Sequence, residues 1–239
     1  MPPPSSLSAM PQSAMPQSSL GERSLISGLT LREERVSAFM QRAIFVVSVA
    51  AASVLISLVS VYGSAVQIVA GSVYGASLIA LYASSSWYHG THHPRWKPWL
   101  KVADHASIYI LIAGTYTPFT LVTLRGGWGW SLFGVVWGLA AVGAFWKFWF
   151  VHRFEFVSTL IYLGMGWLGV VAIVPLLERL PAGGLVWLVL GGAAYSLGTV
   201  FFLWEKLPYH HAIWHGFVLL GVGCHYGAIL AYVLLARGV

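Results

Sequence analysis

AIFVVSVAAASVLISLVSVYGSAVQIVAGSVYGASLIALYASSSWYH, residues Ala43–His89, is the stretch whose reading decides the fold. It is too long and too apolar for one crossing of a bilayer, whose hydrocarbon takes roughly 20 helical residues. Gly63, Ser64 and Ala65 are the only turn signal within it. Taken as a turn, they divide it into two spans, Ala43–Tyr62 and Val66–Tyr88. Read through, the stretch is one long broken helix. The choice sets the count for the chain at seven spans or six.

Outward from that stretch, five more apolar segments of spanning length follow: Asp104–Thr123, Trp128–Trp146, Phe154–Leu177, Leu185–Leu203 and Pro208–Leu235. The composition agrees. Of 239 residues 58% are hydrophobic and 8% charged, against roughly 25% charged in a soluble domain, so little surface is built for water. The expected fold class is all-α, a polytopic seven-transmembrane helical bundle. A single cysteine, Cys224, excludes an internal disulfide framework and zinc held by paired cysteines.

Charge sets the direction. With the N-terminus in the cytoplasm, the inside receives Arg23, Arg32, Arg35, Arg42, Arg95, Lys97, Lys101, Lys147, Arg153 and Lys206, and the outside only Arg125, Arg179 and Arg237. That is a strong positive-inside bias. It also explains the formal net charge of +6 without nucleic acid, because the cations sit in connections between apolar runs. Trp96, Trp99, Trp128, Trp130, Trp146, Trp149 and Trp204 fall near span ends, as in an aromatic belt. The expected location is the plasma or inner membrane, N-terminus cytoplasmic and C-terminus outside. Residues 1–33 read as a disordered cytoplasmic tail: the segment is rich in Pro, Ser, Gln and Met, and SAMPQ occurs twice in tandem. Residues 34–239 form the membrane domain.

Under this topology four polar residues from distant points in the chain meet at the cytoplasmic face. His89 closes span two, Asp104 opens span three, and His211 and His215 begin span seven. The last two are four apart, so they share one helix face. Each alone has an ordinary reading: interfacial packing for the histidines, a dipole-favoured N-terminal charge for the aspartate. Together they fit zinc. Three neutral imidazoles with a water in the fourth position are a catalytic arrangement, and a nearby carboxylate can orient that water and take its proton. Asp104 as a fourth ligand remains open. Ser85, one turn before His89, can hydrogen-bond the water or Asp104.

The other histidines are read as bystanders. His92 and His93 lie in the basic loop THHPRWKPWLK, and His152 lies beside Arg153. His105 and His210 point about 100° away from Asp104 and His211 around their helices. His225 lies roughly 15 Å deeper than His215 and is expected to hydrogen-bond inside the bundle.

SSSWYH, ADHASIYILIAGTYTPF and HAIWHGFVLLGVGCHY closely resemble motifs of the hemolysin III family, a bacterial-type branch of the progestin and adiponectin receptor group related to alkaline ceramidases. The resemblance covers roughly residues 34 to 236. It implies zinc on His89, His211 and His215, an aspartate contacting the metal-bound water at Asp104, and the motif serine at Ser85. One departure stands in span one, where the family pattern Glu-x₂-Asn-x₃-His reads Glu34, Ser37 and Gln41. That puts the role of this segment in question.

Three functions compete. The first is an intramembrane zinc hydrolase acting on a lipid amide or ester through a zinc-activated water, with membrane lipid as partner. The second is a receptor-like sensor with structural zinc. The third is a pore-forming, hemolytic protein, as the family name implies, although no amphipathic lytic helix stands out.

Overall fold

The computed structural model describes residues 27–151 and 155–235. Most of the expected tail lies outside the described residues, as do His152 and Arg153. Among the described residues seven helical segments are long and apolar enough to cross a membrane: Leu31–Tyr62, Ala65–Gly90, Lys97–Leu124, Gly126–Phe150, Glu155–Arg179, Ala182–Leu203 and His210–Leu234. The chain is an integral membrane protein of the all-α class, with no strands among the described residues.

The ambiguous turn is a turn. Helix α1 (Leu31–Tyr62) ends where the Gly63 N–H donates to Val59 O at 2.8 Å. A Cβ on Gly63 would lie 2.6 Å from that same oxygen, so a larger residue cannot close the helix this way. Ser64 then starts α2 (Ala65–Gly90), its N–H and hydroxyl both donating to Gln67 Oε1 at 2.7 and 2.9 Å. Gln67 Nε2 in turn donates to Leu234 O at the far end of span seven. The side chain that caps the turn thus also supplies a donor to a carbonyl at the end of span seven, which lipid could not do.

Span three combines α3 (Lys97–Pro118) with a π-helical turn, Phe119–Leu124, and α4 (Gly126–Phe150) is span four. Span five departs from the uninterrupted helix expected. It breaks into α5 (Glu155–Gly166), a 3₁₀ turn at Leu168–Ala172 and α6 (Ile173–Arg179). Pro175 has no N–H to offer the carbonyl of Val171 and crowds it, which favours a break one turn earlier. Tyr116 spans the gap, its hydroxyl donating to Gly166 O and accepting from Gly169 N, at 2.7 and 2.8 Å. Span six is α7 (Ala182–Leu203); α8 (His210–Ala228) with the π-helical turn Ile229–Leu234 is span seven.

The bundle is apolar outside and partly polar inside. Val46, Val54, Val61, Val142 and Leu190 are exposed, while Glu34, Ser37, Gln41, Ser85, His89 and Asp104 are buried. In lipid the hydrocarbon solvates the outward faces, and polar groups gather where they find one another. Leu55, Val59, Tyr74, Leu78, Phe119, Val222 and Ile229 form the main core.

Two helices begin earlier than the spans read from hydropathy. Helix α1 starts at Leu31 rather than near Ala43, which brings Glu34, Ser37 and Gln41 onto it. Helix α3 starts at Lys97, so Asp104 stands two turns inside the helix instead of opening it. Lys97, Lys101 and Lys147, expected as loop cations, are buried. Lys97 pairs with Glu34 at 3.0 Å, Lys101 pairs with Glu155 at 3.0 Å, and Lys147 lies over the Tyr162 ring at 5.9 Å.

Candidate metal centre

Each element that carries a candidate ligand is held in place by its own local contacts. Helix α1 opens with a capping box: Thr30 accepts from the Glu33 N–H, and Glu33 Oε2 accepts from the Thr30 N–H at 2.9 Å. The other oxygen of Glu33 accepts from the N–H of Tyr209 at 2.9 Å. Tyr209 is in the left-handed region, φ 59°, a conformation that costs a non-glycine residue energy. Glu33 thus fastens the strained residue from which α8 starts, and α8 carries His211 and His215. Between α2 and α3, Ser84 Oγ lies 2.9 Å from Ser107 Oγ, and the Ser107 hydroxyl donates to Asp104 O at 2.6 Å. That clamp sets Ser85 beside Asp104.

His89, His211 and His215 converge as the sequence predicts. One ligand nitrogen from each lies within 4.8 Å of the others. The Nε2 atoms of His89 and His215 are 3.2 Å apart, close to the edge of about 3.3 Å that a tetrahedron of 2.0–2.1 Å zinc–nitrogen bonds would have. The protons are informative. Glu34 Oε2 sits 3.0 Å from His89 Nδ1, and an ionised carboxylate can only accept, so Nδ1 carries the hydrogen. Nε2 of neutral His89 is therefore a bare lone pair turned toward the other two rings. His211 Nε2 is buried with no hydrogen-bond partner. Three imidazole nitrogens gathered at one point, the His89 Nε2 lone pair among them, fit a borderline transition-metal cation, a class that includes zinc.

Asp104 stands outside the converging set, on the wall of a cavity of about 130 Å³ that His211 and His215 also line. Ser85 shares that wall, its hydroxyl approaching the Asp104 carboxylate without closing a hydrogen bond of good geometry. The rest of the lining is largely apolar, including Leu81, Ile108, Leu111, Ile112, Leu163 and Val218. His105 lines the cavity as well, although its position on α3 predicts that it turns away. His210 does turn away, its Nδ1 3.2 Å from Phe202 O, and His92 and His93 are exposed.

Sequence reasoning left the Glu34, Ser37 and Gln41 segment in question and read Lys97 only as a loop cation. Glu34 is buried between His89 Nδ1 and Lys97 Nζ, each at 3.0 Å, forming a Lys97–Glu34–His89 chain. Lys97 also donates to Tyr88 O at 3.0 Å. Gln41, two turns along the same face of α1, enters the cavity wall with Oε1 unpartnered. The i, i+3, i+7 spacing of Glu34, Ser37 and Gln41 was the available signal.

A family model described as "Haemolysin-III related" matches residues 29–226. The chain is 51% identical over 158 residues to Hemolysin-3 of Bacillus cereus, covering 66% of this chain and 72% of that protein. It is 44% identical over 203 residues to Hemolysin-3 homolog of Bacillus subtilis (strain 168), covering 85% and 95% respectively. Weaker similarity, 32% over 133 residues and 55% of each chain, extends to the human monocyte to macrophage differentiation factor. No solved structure matches.

Proposed function

The chain belongs to the haemolysin III-related family, and on that premise we propose that it is a zinc-dependent intramembrane hydrolase of a lipid amide or ester. His89, His211 and His215 would hold the metal, with Asp104 and Ser85 assisting the reaction. The observation that carries this reading is the meeting of three imidazole nitrogens, two of them from residues that line an apolar cavity together with a buried carboxylate.

When bound, zinc would supply Lewis acidity and a coordinated water acidic enough to ionise near pH 7. The chain's own groups do the rest. The apolar walls take an acyl chain and keep bulk water from the reacting carbonyl. Asp104 accepts the proton of the attacking water and returns it to the leaving amine or alkoxide. Ser85 orients that carboxylate. Glu34 fixes the His89 ring by accepting a hydrogen bond from its Nδ1–H, and Lys97 holds Glu34. The Hemolysin-3 name borne by relatives suggests membrane damage as a second reading. That reading needs a hydrated passage, and the largely apolar cavity walls do not favour it.

Glu34 offers a test that needs no substrate. Groups that orient metal-binding histidines typically contribute about 10–100-fold to metal affinity. Glu34→Gln should weaken zinc binding by that order in a chelator-competition titration, with Glu34→Asp between it and the parent protein. An unchanged affinity in Glu34→Gln would remove Glu34 from the site.

The orientation proposed is N-terminus in the cytoplasm, supported by the ten-to-three division of Lys and Arg. A reporter fused after Val239 should score as outside the cytoplasm, and one inserted between Thr91 and Lys101 as inside. Matching signals from the two fusions would contradict the seven-span orientation.

A further inference from the structure

The cavity lined by His211 and His215 also reaches a second polar group deep in the bundle. His225 lies on α8 ten residues beyond His215, roughly 15 Å further along the helix. Its Nε2 is 3.3 Å from Leu188 O on α7, and the Tyr195 ring meets it edge-on with centroids 5.4 Å apart. Gly191 makes that seat: a Cβ there would collide with Cδ2 and Nε2 of the imidazole. A carbonyl oxygen only accepts, so Nε2 of the neutral ring carries the hydrogen and Nδ1 keeps a lone pair. That Nδ1 is buried without a partner. The hydroxyl of Tyr82 is likewise buried and unpartnered, and Tyr82, Tyr195 and His225 all line the cavity.

Two such atoms at mid-membrane depth are costly to leave unpaired. Their chemistry is selective. Nδ1 can only accept, so whatever meets it must donate; a phenol can do either. A carboxylate fails the first requirement and an ether or ketone fails it too. An alcohol meets both. We infer that this part of the cavity recognises a hydroxyl group carried partway along the hydrocarbon chain of the lipid, with His225 Nδ1 accepting from it and Tyr82 completing the pair. The inference rests on the reading of the cavity as a lipid site, and not on hydrolysis there. It assigns the substrate class as lipids with a chain-hydroxylated acyl group.

Direct binding tests it on the full chain in detergent, without turnover. The probes are three fatty acids of equal length: unsubstituted, hydroxylated near mid-chain, and hydroxylated next to the carboxyl group. The mid-chain alcohol should bind roughly tenfold more tightly than the other two, as expected when two buried polar atoms gain partners. Tyr82→Phe and His225→Leu should each bring that ratio most of the way to one, the ratio being read against the unsubstituted acid in the same variant. Tyr82→Phe removes only an oxygen, so it remains informative if His225→Leu folds poorly. Equal binding of the three acids to the parent protein, as a resident water would produce, overturns the hydroxyl site and leaves the lipid reading standing. Failure of all three to bind overturns both. A clear preference in a protein that hydrolyses nothing keeps the hydroxyl site and removes the hydrolase.

Discussion

Replacing Asp104 by asparagine should leave about one zinc bound per chain while lowering lipid hydrolysis by roughly 10²–10⁴-fold, the usual contribution of a positioned general base. The expectation follows from where the carboxylate stands. Three histidines converge without it, and it faces the same cavity from the wall. Asparagine keeps the size of the side chain and loses its capacity to take a proton. Zinc content and hydrolysis measured on one Asp104→Asn preparation separate three cases. Retained zinc with lost turnover supports the hydrolase. Retained zinc with undiminished turnover removes Asp104 from the mechanism. Lost zinc makes Asp104 a direct ligand.

The second large effect concerns the metal itself. Purified protein should carry about one zinc per chain, the content of a single three-histidine site, and the His211→Ala, His215→Ala double variant should fall to background. Both side chains come from one helix face and supply two of the three converging nitrogens. Their removal leaves His89 with Glu34 and Lys97, which is one ligand and its supports. Helical content by circular dichroism should stay close to the parent, because Leu55, Val59, Tyr74 and Ile229 hold the bundle elsewhere. Stoichiometric zinc in a folded double variant would end the assignment of these histidines.

The two tests probe different physical links. The first asks what the chain does with a proton once a metal is present. The second asks whether the inward-facing imidazoles exist to hold that metal. Glu34 belongs with the second question, since its hydrogen bond to His89 Nδ1 decides which nitrogen of that ring is free.

How much was legible depended on how local the signal was. Spans two, four and six were readable to within a few residues, because hydrocarbon thickness imposes a length and lipid imposes an apolar composition. The starts of spans one and three were not. Glu34, Lys97 and Lys101 look like the polar ends of loops in a hydropathy reading, yet they lie inside helices. They are tolerated there because each charge finds a partner on another helix: Glu34 with Lys97, and Lys101 with Glu155. The break in span five was hidden for a related reason, since Pro175 and nearby glycines hint at it, but the Tyr116 hydroxyl from α3 makes it affordable in lipid.

By itself the sequence determined the membrane class and placed His89, His211 and His215 where they could converge, because span length and helix periodicity follow from local chemistry. It left the count at seven or six until the turn after Tyr62 was seen. Only the tertiary structure decided that Glu34 backs His89 across 55 residues of chain, that Asp104 stands beside the histidines rather than among them, and that His225, in the wall of the same cavity, keeps a nitrogen without a partner. Those are statements about which side chain meets which across separate helices. Hydropathy and spacing place each residue at a depth and on a face; the packing of neighbouring helices selects its partner.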